Sequence, residues 1–198
     1  MTNNTFSPSN ATLLLIDHQV GTLGWVKSNS LDEIKRHTVA LARSAIVTGM
    51  PLILTSSQED QVQGPLFDEL IDAAPEAYAS RVQRAGIVDA MKDANFANAV
   101  SATGRNNLII AGITTDVCVV YPAITAVQAG YNVQVVVDGS GSPTTLADET
   151  ALRRMESHGI TLTTTNQLIA ELAQDWSSDN GQKLMQVLFE EVLSKQGG

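Results

Sequence analysis

Short apolar runs recur along this chain, each followed by a polar turn and then a longer stretch with apolar residues at helical spacing. That alternation restricts the fold to βα units around a mainly parallel sheet, because parallel neighbours need a crossover long enough to hold a helix. Thr12 to Ile16 (TLLLI) reads as a buried first strand that ends at Asp17. Leu31 to Thr48 carries Leu31, Ile34, Val39, Leu41 and Ile46 on one helical face, and Gly49 stops it. Pro51 to Thr55 opens a second strand, Ser56 to Gly64 is a polar loop at its carboxyl end, and Pro65 to Ala74 is expected as a short helix with Pro in its first turn. A third strand is expected at Ala79 to Val82 and a helix over Asp93 to Thr103, with Gly104, Asn106 and Asn107 turning the chain. Leu108 to Ile113 (LIIAGI) is the strongest central-strand signal, followed by a helix over Asp116 to Ala129 that Gly130 stops. A fifth strand covers Val133 to Val137, a sixth Ile160 to Thr163, and helices are expected at Leu146 to Ser157, Asn166 to Gln174 and Gln182 to Ser194.

At 198 residues the chain is long enough for one full-sized domain with its own core. Asp175 to Gly181 (DWSSDNG) is the one candidate break, so we expect a domain over residues 1–176 and a C-terminal helical segment over 177–198. The last helix bears Leu184, Met185, Val187, Leu188, Val192 and Leu193, a stripe wider than a solvent-facing helix needs. It packs either on its own domain or on a neighbouring subunit.

Composition narrows the function classes. Twelve Lys and Arg against 21 Asp and Glu give a formal charge of −9, which repels phosphate backbones and anionic lipid and argues against nucleic acid or membrane as the main partner. A single Cys cannot form an internal disulfide, which fits a reducing compartment. The stretch MTNNTFSPSNAT lacks the basic and apolar regions of a signal peptide, and no apolar run approaches the ~18 residues of a membrane span. A cytoplasmic protein is expected.

In open parallel sheets the site lies beyond the carboxyl ends of the strands, where chain order reverses. Asp17, Arg84 and Cys118 fall at or near such ends. The stretch Ala111 to Val119 (AGITTDVCV) runs from a buried strand through residues suited to N-capping into a helix. A thiol in the first turn there feels unsatisfied N–H groups and the positive end of the helix dipole, which favour thiolate. The same N–H groups suit the oxyanion of an acyl transfer. The competing reading of Cys118 is a small buried hydrophobe. Asp17, costly to bury at the end of an apolar strand, suits a base that takes the thiol proton and later activates water, or else a helix cap or a partner for Arg.

Asp17 ending LLLID with Gln19 just beyond, together with GITTDVCV around Cys118, resembles the isochorismatase-like cysteine hydrolase family over Thr12 to about Trp176. LTSSQEDQVQGPLFDEL, CVVYPAI and VVVDGSG are similar to its small YcaC-like branch. The resemblance implies an α/β fold, a three-layer α/β/α sandwich around a six-stranded mainly parallel sheet of order 3-2-1-4-5-6 (Rossmann-like). It also implies an Asp-Lys-Cys triad, with the Lys in a segment resembling K-P-G-x-x-N-A. Here Arg84-Ala-Gly-Ile-Val-Asp-Ala90 occupies that segment, so Arg replaces Lys and Asp89 replaces Asn. A guanidinium stays charged, so the role expected of Arg84 is electrostatic rather than acid catalysis; Arg81 is the alternative if the strand register slips. The family's cis peptide beside the position of Thr114 implies an oxyanion hole at the N–H groups of Thr114 and Cys118. Gln19, Trp25, Gln58, Met91 and Tyr121 are the expected substrate-pocket residues, with packing as the other reading of Trp25 and Tyr121.

The family's nicotinamidases hold a metal through Asp and His after the second strand. SSQEDQ here offers Glu59 and Asp60 without His, and His18, His37 and His158 lack ligand spacing, so neither metal nor other cofactor is expected. Gly139 to Ser142 (GSGS) lacks the spacing and Lys of a phosphate loop and reads as a turn. Isochorismatases proper cleave a vinyl ether and lack the Cys, so Cys118 argues against that reaction. The expected activity is hydrolysis of a small amide or related acyl compound through a thioester, by a homo-oligomer with no partner but its small-molecule substrate. The rivals are a non-catalytic binding or scaffold protein, which the Lys-to-Arg change favours, and a thiol sensor, which would need an external thiol.

Overall fold

A computed structural model describes residues 5–194 of the chain, so the first four residues of the amino-terminal stretch and the last four of the 177–198 segment lie outside the described residues. Six strands, β1 (Ala11–Ile16), β2 (Leu52–Ser57), β3 (Val82–Arg84), β4 (Asn107–Gly112), β5 (Asn132–Val136) and β6 (Thr161–Thr163), form one sheet in the order β3-β2-β1-β4-β5-β6. Every neighbouring pair is parallel. The α-helices are α1 (Val20–Leu23), α2 (Leu31–Thr48), α3 (Asp68–Ala73), α4 (Pro75–Ala79), α5 (Ala94–Ala102), α6 (Val120–Gln128), α7 (Thr145–Ser157), α8 (Thr165–Ala173) and α9 (Asp179–Leu188).

The strand period of two splits the core between the sheet's faces. Leu13, Leu15, Ile109 and Ala111 point toward α2, α3, α8 and α9, whereas Leu14, Ile16, Leu108 and Ile110 point toward α5, α6 and α7. All residues of β1 and β4 are buried. Truncating a leucine packed on both flanks this way costs about 2–5 kcal/mol. The result is the three-layer α/β/α sandwich expected from the resemblance, with the order reversing between β1 and β4.

Several boundaries differ from the sequence expectation for local reasons. The third strand forms at Val82–Arg84 rather than Ala79–Val82, because Pro75 starts the turn of α4 and Ser80 closes it, its N–H and hydroxyl both donating to the Glu76 carbonyl. The helix expected from Pro65 starts at Asp68, since Leu66 bridges to Gln19 and the Pro65 carbonyl accepts from the Val20 N–H. The helix expected from Gln182 starts at Asp179, where the Ser178 hydroxyl accepts from the Gly181 N–H at 3.0 Å. Within the C-terminal segment, Leu184, Val187, Leu188 and Val192 join the core beneath α2, and Arg43 of α2 pairs with Glu190 and Glu191. Met185, Phe189 and Leu193 remain exposed. Among the described residues no helix is long and apolar enough to cross a membrane.

Candidate active site

The ends of β1, β3 and β4 converge beside the order reversal, and each delivers one side chain. Asp17 directly follows β1, with φ of 57°, a left-handed conformation that Asp tolerates better than most residues. Its N–H donates to the Thr55 carbonyl at 2.9 Å and its carbonyl accepts from the Thr22 hydroxyl at 2.9 Å, which fixes where the carboxylate points. Arg84 ends β3 and donates from Nη2 to both Asp17 oxygens at 2.5 Å. Two further donors are engaged, Nε on Thr55 Oγ1 at 3.0 Å and Nη1 on the Ile87 carbonyl at 2.5 Å. Asp17 is 1% exposed and Arg84 3%, so the pair is withdrawn from solvent.

Cys118 lies in a π-turn, Thr115–Val119, that leads from β4 into α6. The helix expected over Asp116 to Ala129 therefore opens as this wider turn and becomes α-helical at Val120. The Ile113–Thr114 peptide is cis. The Thr114 carbonyl accepts from the N–H groups of Val117, Cys118 and Val119 at 3.3, 2.8 and 3.2 Å. The Cys118 N–H expected to line an oxyanion hole is thus already engaged, whereas the Thr114 N–H donates toward the Cys118 sulfur.

The half-buried thiol of Cys118 interacts with the same Asp17 carboxylate that Arg84 grips. Burial, then the charge of Asp17, push its pKa up to about 12, and the nearby guanidinium only partly opposes this. The thiolate that the helix terminus led us to expect is therefore not the resting form: desolvation and a neighbouring anion outweigh backbone N–H groups already spent within the turn. Burial also raises the Asp17 carboxyl against the opposing pull of Arg84. A raised carboxyl beside a thiol is a base matched to accept its proton.

A cavity of about 340 Å³ opens above these groups and is lined by Asp17, Arg84, Cys118, Gln19, Trp25 and Gln58 among others. Gln19 is there in a framework role. Its Nε2 donates to the carbonyls of Ser57 and Gly64 at 2.9 and 2.5 Å and its Oε1 accepts from the Ser57 N–H at 2.9 Å, which latches the loop after β2 to β1. Gln58, at φ 49°, donates its N–H to the Arg84 carbonyl at 2.9 Å. Trp25 stands half exposed at the rim. Two expected pocket residues lie elsewhere. Met91 sits in a 3-10 turn and packs against the α5–α7 side of the core, and the Tyr121 ring faces the Arg154 guanidinium at 5.2 Å. Arg81, the alternative to Arg84, pairs instead with Glu59 at 2.6 Å.

Sequence reasoning missed the apolar walls, Ile87, Val88 and Val117, whose signal was exposed apolar residues inside otherwise polar turns. It also missed what the Gly139 to Ser142 loop does. Ser140 Oγ accepts from the Gly112 N–H at 3.1 Å, the Gly141 carbonyl from the Thr115 N–H at 2.9 Å, and Ser142 Oγ from the Asp116 N–H at 3.2 Å. The loop braces the strand end and turn that carry Cys118. A Cβ on Gly141 would lie 2.6 Å from Val26, so only glycine lets the loop approach this closely.

Comparison with known proteins extends the picture. The Isochorismatase domain matches residues 11–167. The probable hydrolase YcaC of Escherichia coli (strain K12) is 37% identical over 171 residues, 86% of this chain and 81% of that protein. The structure of YcaC from Pseudomonas aeruginosa, solved with hexane-2,5-diol and covalent acrylamide, superposes with a TM-score of 0.92 at 36% identity, covering 98% of this chain and 95% of that one. The Escherichia coli YcaC structure, described as an octameric hydrolase of unknown specificity, gives a TM-score of 0.92 at 34% identity, covering 98% and 94%.

Proposed function

This chain belongs to the isochorismatase family of hydrolases, and from that premise we propose that it hydrolyses a small amide or related acyl compound through a thioester on Cys118. The observation that carries the reading is the convergence of Cys118 and Arg84 on one buried carboxylate, Asp17, beneath an open cavity. Asp17 takes the thiol proton as Sγ attacks the carbonyl carbon, and the carbonyl π pair moves onto oxygen. The Thr114 N–H, which meets the Cys118 sulfur in the resting site, is the donor that turns to that oxyanion. Collapse of the intermediate breaks the C–N bond, and Asp17 returns its proton to the departing nitrogen. A water then gives a proton to Asp17 and its oxygen to the acyl carbon, and the C–S bond breaks as the thiol is restored. Arg84 stabilises the negative charge and gives up no proton. The apolar walls fit an uncharged acyl group. The covalent acrylamide of the Pseudomonas aeruginosa relative supports a nucleophilic side chain in proteins of this kind.

The proposal extends to a cytoplasmic homo-oligomer. The octameric Escherichia coli relative and the exposed Met185, Phe189 and Leu193 on the C-terminal segment support self-association. The test is intact mass after incubation with a panel of small amides and esters. An acyl adduct at Cys118 that turns over, and that Cys118→Ala abolishes, is the expected result. A thiol that reacts only after unfolding would remove the mechanism. The non-catalytic binding reading, favoured by the Arg in place of the family Lys, would then lead.

A further inference from the structure

Four large apolar side chains that the core does not use line the cavity above Cys118. Trp25 comes just after α1, Ile87 and Val88 follow β3, and Val117 directly precedes Cys118 in the π-turn. They are between 37% and 54% exposed and belong to neither half of the core. Single exposed apolar residues are ordinary, but here three separate stretches of chain bring theirs to one opening, with Pro143 on the same wall. The wall is also held in place. The Ile87 carbonyl accepts from Arg84, and Asp89 closes that stretch by accepting from the Met91 N–H at 3.1 Å and the Thr125 hydroxyl at 2.7 Å. Just beyond Trp25, the N–H groups of Lys27 and Ser28 donate to the Ser142 carbonyl at 3.0 and 3.1 Å. Charge points the same way. Among the described residues that line the cavity, Asp17 and Asp116 are acidic and Arg84 is the one base, already bonded to both Asp17 oxygens. A substrate carboxylate would meet no excess of positive charge there.

We propose that this wall selects an acyl compound carrying an uncharged apolar group of a few carbons, an alkyl chain or small ring, beside the carbonyl that Cys118 attacks. This rests on the reading of Cys118 as the nucleophile. Each methylene that leaves water for the wall strengthens binding of the transition state, whereas a carboxylate placed there loses hydration and gains nothing in return. The cavity, at about 340 Å³, lies at the small end of the range of small-molecule sites, about 300–1,000 Å³, which limits the size of the group.

The test uses three electrophiles with one reactive ring: N-methylmaleimide, N-butylmaleimide and 3-maleimidopropionic acid, whose side chain is close to butyl in size but ends in a carboxylate. In each, Cys118 Sγ bonds to one alkene carbon, the C=C π pair moves toward the other, and the thiol proton, passed through Asp17, ends there. Cys118 is the chain's one thiol, so intact mass reads its labelling directly. Each rate is divided by that of 2-mercaptoethanol with the same reagent at the same pH, which removes intrinsic reactivity. A gain of about two- to fourfold per methylene is expected, so the butyl reagent should exceed the methyl one by about tenfold or more, and the carboxylate reagent by at least as much. The ratio of butyl to methyl rates should fall in Val88→Ser and in Val117→Ser. Normalised rates in the wild-type protein that are equal, that fall from methyl to butyl, or that are as high for the carboxylate as for butyl overturn the proposal and leave Cys118 as a nucleophile. This comparison needs no variant, so it stands even if a substitution fails to fold. Failure of all three reagents to label the folded protein, with labelling after unfolding, overturns both the proposal and the reading beneath it.

Discussion

Replacing Arg84 with Met isolates what the guanidinium does, because Met preserves much of the apolar stem and removes the charge. The Asp17 carboxylate, 1% exposed, would then sit beside no cation, and Thr55 Oγ1 and the Ile87 carbonyl would lose their donors. Breaking a buried pair by removing one partner costs about 3–5 kcal/mol. For a domain of this size each kcal/mol lowers Tm by about 2–4 °C, so a fall of about 6–20 °C is expected. The pH dependence has a definite sign. Burial raises the Asp17 carboxyl and Arg84 opposes it, so the variant's folded pKa rises further above its unfolded value. A group raised in this way favours folding below its unfolded pKa and loses that contribution as pH climbs through the folded one. Arg84→Met should therefore be destabilised more at about pH 8 than at about pH 5, with a slope approaching ~1.4 kcal/mol per pH unit where only the folded state holds the proton. Adding Asp17→Asn removes the stranded charge and should recover more than about 1 kcal/mol relative to the sum of the single changes. Urea and thermal unfolding of the four proteins, at fixed protein concentration and across that pH range, measure the cycle. Additivity within about 0.5 kcal/mol, or an Arg84→Met variant with no pH-dependent loss, would refute the reasoning.

Asp17→Asn removes the charge that, after burial, most raises Cys118. The high-pH limb of Cys118 alkylation should move below about 12, while hydrolysis falls by about 10²–10⁴ for want of a base. His18 is fully buried, shares a 2.9 Å hydrogen bond with the Gly139 carbonyl, and is lowered by burial from 6.5 to about 4. Between those values the unfolded chain binds a proton that the folded one refuses, so stability should drop by about 3 kcal/mol as pH falls through that window. His18→Gln should flatten that part of a urea-midpoint profile. Gly112→Ala would place a Cβ 2.5 Å from the Ile16 carbonyl oxygen, backbone that cannot swing aside. A loss of about 1–3 kcal/mol is expected, together with slower labelling of Cys118, because the strand end feeding its turn is displaced.

The layers were legible because β1 and β4 hold the apolar runs LLLI and LIIAG and α2 carries a clean stripe ending in Gly49, whose φ of 69° only glycine adopts without cost. The short edge strand β3 was not. Three residues hold too little pattern to fix a register, and the preceding Pro75 looks alike whether it opens a helical turn or precedes a strand. At the site, Asp17, Arg84 and Cys118 could be named from their positions at strand ends, and the fold brings all three together. The cavity walls and the bracing loop escaped because they depend on contacts between segments far apart in the chain. Ser142 reaches Asp116 across 26 residues and Gln19 reaches Ser57 across 38, and no local pattern announces either. Tyr121 misled because an aromatic one turn beyond a nucleophile can lean either way, and Arg154 on α7 supplies the partner that draws it aside.

Arg84 in place of the family Lys gains a specific meaning from its hydrogen bonds. Each guanidinium nitrogen already donates, to Thr55, Ile87 or Asp17, and a guanidinium does not release a proton near neutrality. Its influence on the proposed cycle therefore comes through charge and hydrogen bonds rather than proton transfer, and its charge lowers Asp17 and Cys118 alike. The pair carries one negative charge whether the proton sits on sulfur or on carboxyl. A fixed cation beside them balances either arrangement, so moving the proton from Cys118 to Asp17 leaves the net charge of the buried cluster unchanged. The step avoids the desolvation cost of creating a second ion, which is what a nucleophile pushed up to about 12 requires in order to react near neutral pH. A Lys in the same place would add a second acidic group to the relay. With Arg84 the proton stays on the Asp17–Cys118 axis, and the rate should follow the titration of that pair alone.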